Sequence, residues 1–125
     1  MTLAKETKTP SEDGVISPIS LLVVVDGKIG RSHPIEDGEN LIGRWDPEAV
    51  SYPEIDLTHD DPEIKISRKH ALVRRDNDSL SLEDIGSRNG TFLKDGMKLE
   101  PGNIVTLNDG DEFVVGKTVL RVKFE

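Results

Sequence analysis

The sequence predicts an all-β domain, built as an antiparallel sandwich or barrel. Short segments rich in apolar and β-branched residues recur at roughly ten-residue spacing, with turn clusters such as Glu36–Gly38 and Asn108–Gly110 between them. Residues 80–84 and 119–123 alternate apolar and polar side chains as half-buried strands do, and no stretch keeps a helical period. Many short strands at this spacing are typical of antiparallel β-sandwiches.

Each element follows from a local pattern. The first predicted strand is the Val-rich run Ile19–Asp26, which ends at the hairpin signal Asp26-Gly27. The connection from Trp45 to Glu63 contains three prolines, so it is predicted to be irregular around one short strand, Ile55–Leu57. The remaining predicted strands are Ser32–Ile35, Asn40–Ile42, Ala71–Arg75, Leu80–Asp84, Thr91–Leu93, Asn103–Thr106, Glu112–Val115 and Thr118–Phe124.

The N-terminal segment differs in composition from the rest of the chain. Met1–Pro18 is polar and charged, which predicts a flexible tail followed by one domain over residues 19–125. The tail lacks the apolar core of a signal peptide, and no window approaches the ~18 apolar residues of a membrane span. Cysteine is absent, which excludes disulfides and thiolate metal sites. We therefore expect a cytoplasmic protein without a bound cofactor or metal.

The formal net charge of −8 argues against nucleic acid or an anionic membrane as the partner. Acidic residues dominate Glu54–Glu63 and Asn108–Glu112, and a smaller set of cations stands apart from them. Because charges further apart than ~8 Å are largely screened at physiological salt, these cations can form a local anion site. They can equally be a solvated face of a strand and loop, and charge alone does not distinguish the two. The cations are Arg44, Lys65, Arg68, Lys69 and Arg88.

Two short runs and one dipeptide carry most of the chemical information: Ser67–His70, Gly86–Thr91 and Gly43-Arg44. All three lie in segments predicted as loops, and together they supply guanidinium groups, hydroxyls and a side-chain amide. A phosphate carries about −1.5 to −2 charges at neutral pH and three acceptor oxygens. Arg offers it a planar fork of donors, and Ser or Thr hydroxyls fill the remaining lone pairs. The set predicts that the chain binds a phosphate without performing chemistry on it.

In this order and spacing, the residues resemble the forkhead-associated (FHA) domain, a module that binds phosphothreonine peptides. The resemblance runs from about Leu21 to Phe124. It implies an antiparallel β-sandwich of two sheets with about eleven short strands, the FHA/SMAD-like fold, whose loops at one end form the binding surface. The motifs that carry it are Gly43-Arg44, Ser67-x-x-His70, Asp84-x-Gly86-Ser87-x-Asn89-Gly90-Thr91 and Leu107-x-x-Gly110-Asp111.

The resemblance also implies how the site binds its ligand. Arg44 and Ser67 should donate to phosphate oxygens, and Asn89 should hydrogen-bond the peptide main chain beside the phosphothreonine. Arg68 and Arg88 are expected to add to these contacts, and Arg88 stands where family members commonly place a further phosphate contact. A small apolar pocket is expected to receive the threonine γ-methyl, which is worth only about 0.8 kcal/mol as transfer from water.

Other residues are expected to support or tune the site. The resemblance gives Gly43, His70 and Gly90 architectural roles, with His70 bracing the loop that bears Ser67 and Gly90 permitting a turn. Lys65 and Lys69 flank the serine, and their charge favours acidic residues a few positions after the phosphothreonine. Taken alone, Asn89-Gly90 is only a hairpin signal, and His70 is a core histidine with its hydrogen bonds satisfied.

Three further patterns are weak. Ser67, His70 and Asp84 contain the groups of a hydrolytic triad, but no Gly-x-Ser-x-Gly elbow accompanies them. Residues 110–118 look like a phosphate loop, yet five residues separate the glycines where the motif needs four. The acidic residues among 56–63, with His59, lack the spacing of a calcium loop, so a solvated acidic loop is expected there.

The sequence therefore predicts a phosphothreonine-dependent adaptor with no enzyme activity, which reads proteins marked by a Ser/Thr kinase. Two alternatives remain open. One is a phosphate-independent interaction or oligomerisation module that uses another face of the sandwich. In the other, a phosphorylated Thr7 or Thr9 occupies the chain's own pocket, as in some small bacterial FHA regulators. The paired-threonine motif of those regulators is absent here.

Overall fold

The computed structural model describes residues 17–48, 50 and 52–125, so the predicted tail, with Thr7 and Thr9, lies outside the described residues except for its last two positions. Two five-stranded sheets form a β-sandwich. No helix in the described ranges is long and apolar enough to cross a membrane. A 3-10 turn, Thr58–Asp60, follows the fourth strand. The strands are β1 (Ile19–Val25), β2 (Lys28–Pro34), β3 (Gly38–Gly43), β4 (Ile55–Asp56), β5 (Ala71–Asp76), β6 (Ser79–Asp84), β7 (Thr91–Leu93), β8 (Ile104–Leu107), β9 (Glu112–Val115) and β10 (Thr118–Phe124).

The two sheets are almost entirely antiparallel. One has the order β2-β1-β10-β9-β7 and the other β4-β3-β5-β6-β8. Among the described strands, β4 alone pairs in parallel: it lies beside β3, with Ile42 opposite Ile55. A parallel pair requires a returning connection, which residues 44–54 supply.

The structure confirms the predicted fold class. Ten strands and an isolated bridge between Phe92 and Lys98 match the expected number of short segments. The last two strands of the chain and β7 have the predicted bounds. The second strand was predicted to begin at Ser32, but it begins at Lys28, because the ladder resumes directly after the turn with Val25 opposite Lys28.

Alternation along the strands decides which side chains form the core. In β1 and β5 every second residue is buried, among them Leu21 and Val73, one from each sheet. These side chains belong to one apolar cluster that also contains Phe113 and Leu120. Full burial of such side chains contributes about 1.5–3 kcal/mol each, so the interior gives the loops a stable foundation.

The strand ends that carry the predicted site lie at one end of the sandwich. Ile42, one residue before the end of β3, pairs with Ala71 at the start of β5. Asp84, the last residue of β6, pairs with the same Ala71. Thr91 begins β7 opposite Val115, next to the turn between β9 and β10. The loops that bear Arg44, Ser67 and Asn89 therefore leave the sheets at the same end.

The first described residues, 17 and 18, lie at the opposite end of the sandwich from these loops. Arg75, near the far end of β5, is 5% exposed, and its guanidinium donates to the carbonyl oxygens of Ile35 and Ser17. The carbonyl oxygen of Pro18 accepts the N–H of Glu125 at 3.0 Å. These bonds attach residues 17 and 18 to the end of the domain that is remote from the predicted site.

Candidate functional site

A shallow pocket of about 240 Å³ opens between the loops that carry the predicted site. All five predicted phosphopeptide-binding residues line it, as does Lys65. Lys69 is exposed and is not among the lining residues. The sequence did not single out Ile64 or Ile66, which also contribute. The lining residues are Arg44, Ile64, Lys65, Ile66, Ser67, Arg68, Arg88 and Asn89.

Gly43 allows the end of β3 to approach the loop that bears Ser67. A Cβ atom at position 43 would lie 1.9 Å from the carbonyl oxygen of Arg68 and 3.2 Å from that of Ser67. The N–H of Arg44 donates to the carbonyl oxygen of Arg68 at 3.3 Å across the same contact. Residue 43 therefore has to be glycine for this loop to occupy its position.

Two arginines on the pocket wall are oriented by further contacts. The Nε of Arg44 donates to the carbonyl oxygen of Ile66 at 2.5 Å, which directs the guanidinium along the pocket. The guanidinium of Arg68 forms an ion pair with Asp46 at 3.2 Å. The Arg68 side chain is 54% exposed and that of Asp46 25% exposed. Ion pairs at the solvent-exposed surface are worth about 0–1 kcal/mol, so a phosphate can compete for Arg68.

Ser67 and Asn89 hold the two main loops of the site together. The N–H of Arg88 donates to Ser67 Oγ at 3.0 Å, which leaves the hydroxyl hydrogen of Ser67 for a ligand oxygen. The side-chain amide of Asn89 donates to the carbonyl oxygen of Lys65 at 2.9 Å. The oxygen of that amide takes no part in this bond and can accept a peptide N–H.

His70 braces both loops from inside the domain. The ring is fully buried, and its Nδ1 accepts the N–H of Ser67 at 3.1 Å. Because Nδ1 is an acceptor, Nε2 carries the hydrogen and donates to the carbonyl oxygen of Gly90 at 2.9 Å. A neutral imidazole of this one tautomer connects the Ser67 loop to the Gly90 turn.

The bracing contact predicts a pH dependence of stability. Burial lowers the pKa of His70 below its ordinary value, although the Gly90 carbonyl and Asp84 act in the opposite direction. Below about pH 6.5 the unfolded chain binds a proton that the folded ring does not. The His70 contribution to the unfolding free energy is therefore complete above that pH and is lost as the pH falls toward the folded-state pKa. Protonation of Nδ1 would also direct its hydrogen at the hydrogen of the Ser67 N–H, so the ring could no longer accept that hydrogen bond.

We expect the thermal midpoint to fall between pH 7 and pH 5.5, and His70→Asn to flatten that slope while lowering stability at pH 7. His59→Asn removes an exposed histidine beside β4 and serves as the matched control. Calorimetric unfolding across this range measures both. If the pH dependence of the thermal midpoint survives in His70→Asn, a group other than His70 is responsible for it.

Asp84 organises the turn that presents Arg88 and Asn89. Its carboxylate is 1% exposed and accepts the N–H groups of Gly86 (2.8 Å) and Ser87 (2.9 Å) and the hydroxyls of Ser87 (2.5 Å) and Thr91 (2.8 Å). Burial opposes ionisation, but these hydrogen bonds outweigh it and hold the pKa of Asp84 below its ordinary value. The sequence placed Asp84 in the motif without assigning it this role.

Asp61 organises the other loop in the same way. Its carboxylate accepts the N–H groups of Lys65 and Ile66, each at 2.8 Å. Asp61 is 4% exposed, so the expectation of a solvated acidic loop was wrong at this position. Within the described ranges, no cluster of acidic, histidine or cysteine residues is placed to hold a metal ion.

Gly116, in the turn between β9 and β10, provides a third support that the sequence did not identify. Its N–H donates to the carbonyl oxygen of Gly90 at 3.1 Å. A Cβ atom there would lie 2.8 Å from the carbonyl oxygen of Lys65. The glycine that belongs to the false phosphate-loop pattern is instead a packing position behind the pocket.

The triad pattern has a structural explanation as well. Both ring nitrogens of His70 are engaged by backbone groups of Ser67 and Gly90, and the Ser67 hydroxyl accepts from Arg88. Asp84 bonds to its own turn rather than to His70. The histidine is therefore placed to support a loop and not to remove a proton from the Ser67 hydroxyl.

Comparison with known proteins agrees with this geometry. The model of the FHA domain family matches residues 27–116. The chain is 34% identical over 105 residues to an oxoglutarate dehydrogenase inhibitor of Corynebacterium jeikeium, covering 84% of this chain and 65% of that protein. It is 30% identical over 112 residues to the glycogen accumulation regulator GarA of Mycobacterium tuberculosis, covering 90% of this chain and 62% of that protein.

Among solved structures, the FHA domain of FhaA in complex with the intracellular domain of Rv3910 superposes with a TM-score of 0.66 at 28% identity, covering 84% of this chain and 99% of that domain. The chain spans less than two thirds of the length of the two curated relatives above. The likeness therefore concerns the domain that carries the pocket.

Proposed function

The chain belongs to the FHA domain family of phosphothreonine-binding modules, and on that basis we propose that it is a phosphothreonine-dependent adaptor. Arg44 and Ser67 bind the phosphate, with Arg68 and Arg88 contributing, and Asn89 binds the peptide main chain. The observation that supports this most directly is that one pocket collects these five side chains from three separate loops.

The electrostatics of the pocket favour a dianionic group. Three guanidinium groups, from Arg44, Arg68 and Arg88, line a cavity of about 240 Å³ on a protein with a net charge of −8. Their forks supply charge-assisted hydrogen bonds, which are about twice as strong as neutral ones. A phosphate therefore gains both contacts and local charge neutralisation where the rest of the surface repels it.

The partner is proposed to be a protein modified by a Ser/Thr kinase. The relatives named above are an inhibitor of an enzyme and a regulator of glycogen accumulation. These names describe regulatory proteins, and we propose that this chain also has a regulatory role, which it performs by binding another protein. Its role would then be to hold a phosphorylated partner rather than to convert a substrate.

Arg44→Ala and Ser67→Ala test the proposal. Each removes a charge-assisted hydrogen bond worth about 1.5–3 kcal/mol, so we expect affinity for a phosphothreonine peptide to fall about tenfold to a hundredfold. Fluorescence anisotropy with matched phosphothreonine, phosphoserine and unmodified peptides measures this. The phosphothreonine peptide should bind most tightly.

Arg121→Ala is the matched control, because it removes a half-buried arginine that pairs with Glu112 outside the pocket. Circular dichroism and the thermal midpoint verify that each variant is folded. A folded Arg44→Ala protein with unchanged affinity would contradict the proposal. Equal binding of unmodified peptide or dephosphorylated partner would favour the phosphate-independent alternative.

A further inference from the structure

Ile64 adopts a backbone conformation that is unusual for its side chain. Its φ angle is 54°, in the left-handed region. Asp26 and Asn77 also adopt this region, which suits their short polar side chains, whereas β-branched residues there are outliers. Val50 is a second such outlier, but of the two only Ile64 lines the pocket. Ile64 is also 67% exposed, so burial of its side chain does not compensate for the strain.

Neighbouring contacts impose this conformation. The N–H of Ile64 donates to the carbonyl oxygen of Asp61 at 3.1 Å, and the next two N–H groups donate to the Asp61 carboxylate. Asp61 is 4% exposed, and Ile66 is 1% exposed and belongs to the core. The chain is thus anchored on both sides of Ile64, and the side chain is displayed to solvent.

The displayed side chain lies at the phosphate pocket. Ile64 lines it together with Arg44, Ser67, Arg88 and Asn89. Strained residues cluster at binding sites, where the strain is maintained by surrounding contacts. An exposed isoleucine in an unfavourable conformation contributes little to folding, but it offers an apolar surface to whatever binds beside the phosphate.

On the basis of the proposed function, we propose that Ile64 is a specificity-determining contact, which selects phosphothreonine peptides that carry an apolar side chain close to the phosphothreonine. The occupant of this surface is the peptide segment next to the phosphorylated residue, since the surface is continuous with the phosphate pocket. The aliphatic side chain of the peptide packs against Ile64 while the phosphate is bound by the arginines.

Charge alone favours a different preference, for acidic residues opposite Lys65 and Lys69. The structure gives that preference less support. Lys69 does not line the pocket. Lys65 does line it, but it is less exposed than Ile64. Ile64 has the greater exposure at the pocket, so an apolar neighbour is the expected one.

The experiment is an affinity series with peptides that hold phosphothreonine constant and place Leu, Glu or Ala at each of the nearest positions on either side. For the wild-type chain we expect a Leu peptide at one position to bind about fivefold more tightly than its Ala counterpart, as partial burial of one aliphatic side chain provides. Ile64→Asn should abolish that ratio, leave the Ala peptide unaffected, and unfold at or above the wild-type temperature, because Asn tolerates the left-handed conformation. Ile64→Leu should preserve the ratio.

Ile104→Thr is the matched control, since Ile104 is 59% exposed in β8 and outside the pocket. It should leave the Leu-to-Ala ratio unchanged. A wild-type chain that prefers Glu, or that shows no preference, would overturn the role of Ile64 while leaving phosphothreonine binding intact. The role would also be overturned if the ratio persisted in Ile64→Asn. Absence of binding to every phosphothreonine peptide would instead overturn the proposed function, and this inference with it.

Discussion

Gly43→Ala is expected to disable the pocket and destabilise the domain together. A Cβ atom at this position would be 1.9 Å from the Arg68 carbonyl oxygen, whereas ordinary contacts begin at 3.4 Å. The atom in the way is backbone, so the loop that bears Ser67 has to move by about 1.5 Å, which costs about 3 kcal/mol at the upper end of overpacking effects. The contacts of Arg44 and Ser67 with phosphate would be lost together, which lowers affinity by at least about a hundredfold.

Gly30→Ala provides the control, because its added Cβ would meet nothing closer than 3.4 Å and its backbone needs no left-handed angle. It should change the unfolding free energy by no more than about 0.5 kcal/mol. Chemical denaturation and anisotropy titration measure the two effects. Amide chemical shifts of β10 report separately whether the sandwich remains intact. Wild-type affinity and stability in Gly43→Ala would show that the loop can move away without consequence.

Asp84→Ala should lower stability at least as much as Gly43→Ala, and it should weaken binding as a result. It removes the acceptor for two backbone N–H groups and two hydroxyls in the turn from Gly86 to Thr91. A donor left without a partner costs about 1–3 kcal/mol where it is buried, as at Thr91, and less in the half-buried part of the turn. Rotation of the hydroxyls relieves part of this cost. We expect a loss of about 3–4 kcal/mol and a thermal midpoint lower by at least about 10 °C.

Asp84→Asn should be intermediate, because the carboxamide keeps one acceptor oxygen. It should also reduce the acid dependence of the protein. The folded-state pKa of Asp84 is depressed, so its contribution is complete above about pH 4 and is lost as the pH falls through the folded-state value. Asp78→Ala, in the exposed turn between β5 and β6, is the matched control and should be nearly neutral. An unchanged midpoint in Asp84→Ala would contradict the role of this carboxylate.

Local patterns predicted much of the fold because strand formation depends largely on residues that are close in sequence. The bounds of β7, β9 and β10 follow from apolar alternation between glycine turns, and the structure has them where the sequence indicated. The parallel pairing of β4 with β3 was not predicted. It depends on where the irregular connection from residue 44 to residue 54 returns, which no local pattern specifies.

The pocket residues were predicted more completely than their supports. Arginine, serine and asparagine in the order typical of FHA domains predict phosphate binding, and this prediction does not depend on the residues around them. A carboxylate such as Asp61 or Asp84 has the same sequence signature whether it is solvated or buried among N–H donors. Its role becomes visible only when the loop around it is folded.

The place where residues 17 and 18 attach to the domain is likewise a tertiary property. Ser17 is bonded to Arg75 at the far end of β5 from the pocket. The five steps between the six residues of β5 span about 17 Å, and the eight steps from Thr9 to Ser17 reach at most about 29 Å. The chain length by itself therefore permits a phosphorylated Thr9 or Thr7 to reach the pocket of its own molecule.

The sequence by itself determined the all-β class and most of the strands, and it predicted the residues that we propose bind a phosphate, because these depend on side-chain chemistry and on short-range periodicity. Only the tertiary structure decided that Gly43 lies against Arg68, that His70 connects Ser67 to Gly90, and that Ile64 is displayed beside the pocket. Most of these contacts join residues about twenty or more positions apart in the chain. Such contacts form only when the two sheets pack and bring their loops to one end of the sandwich.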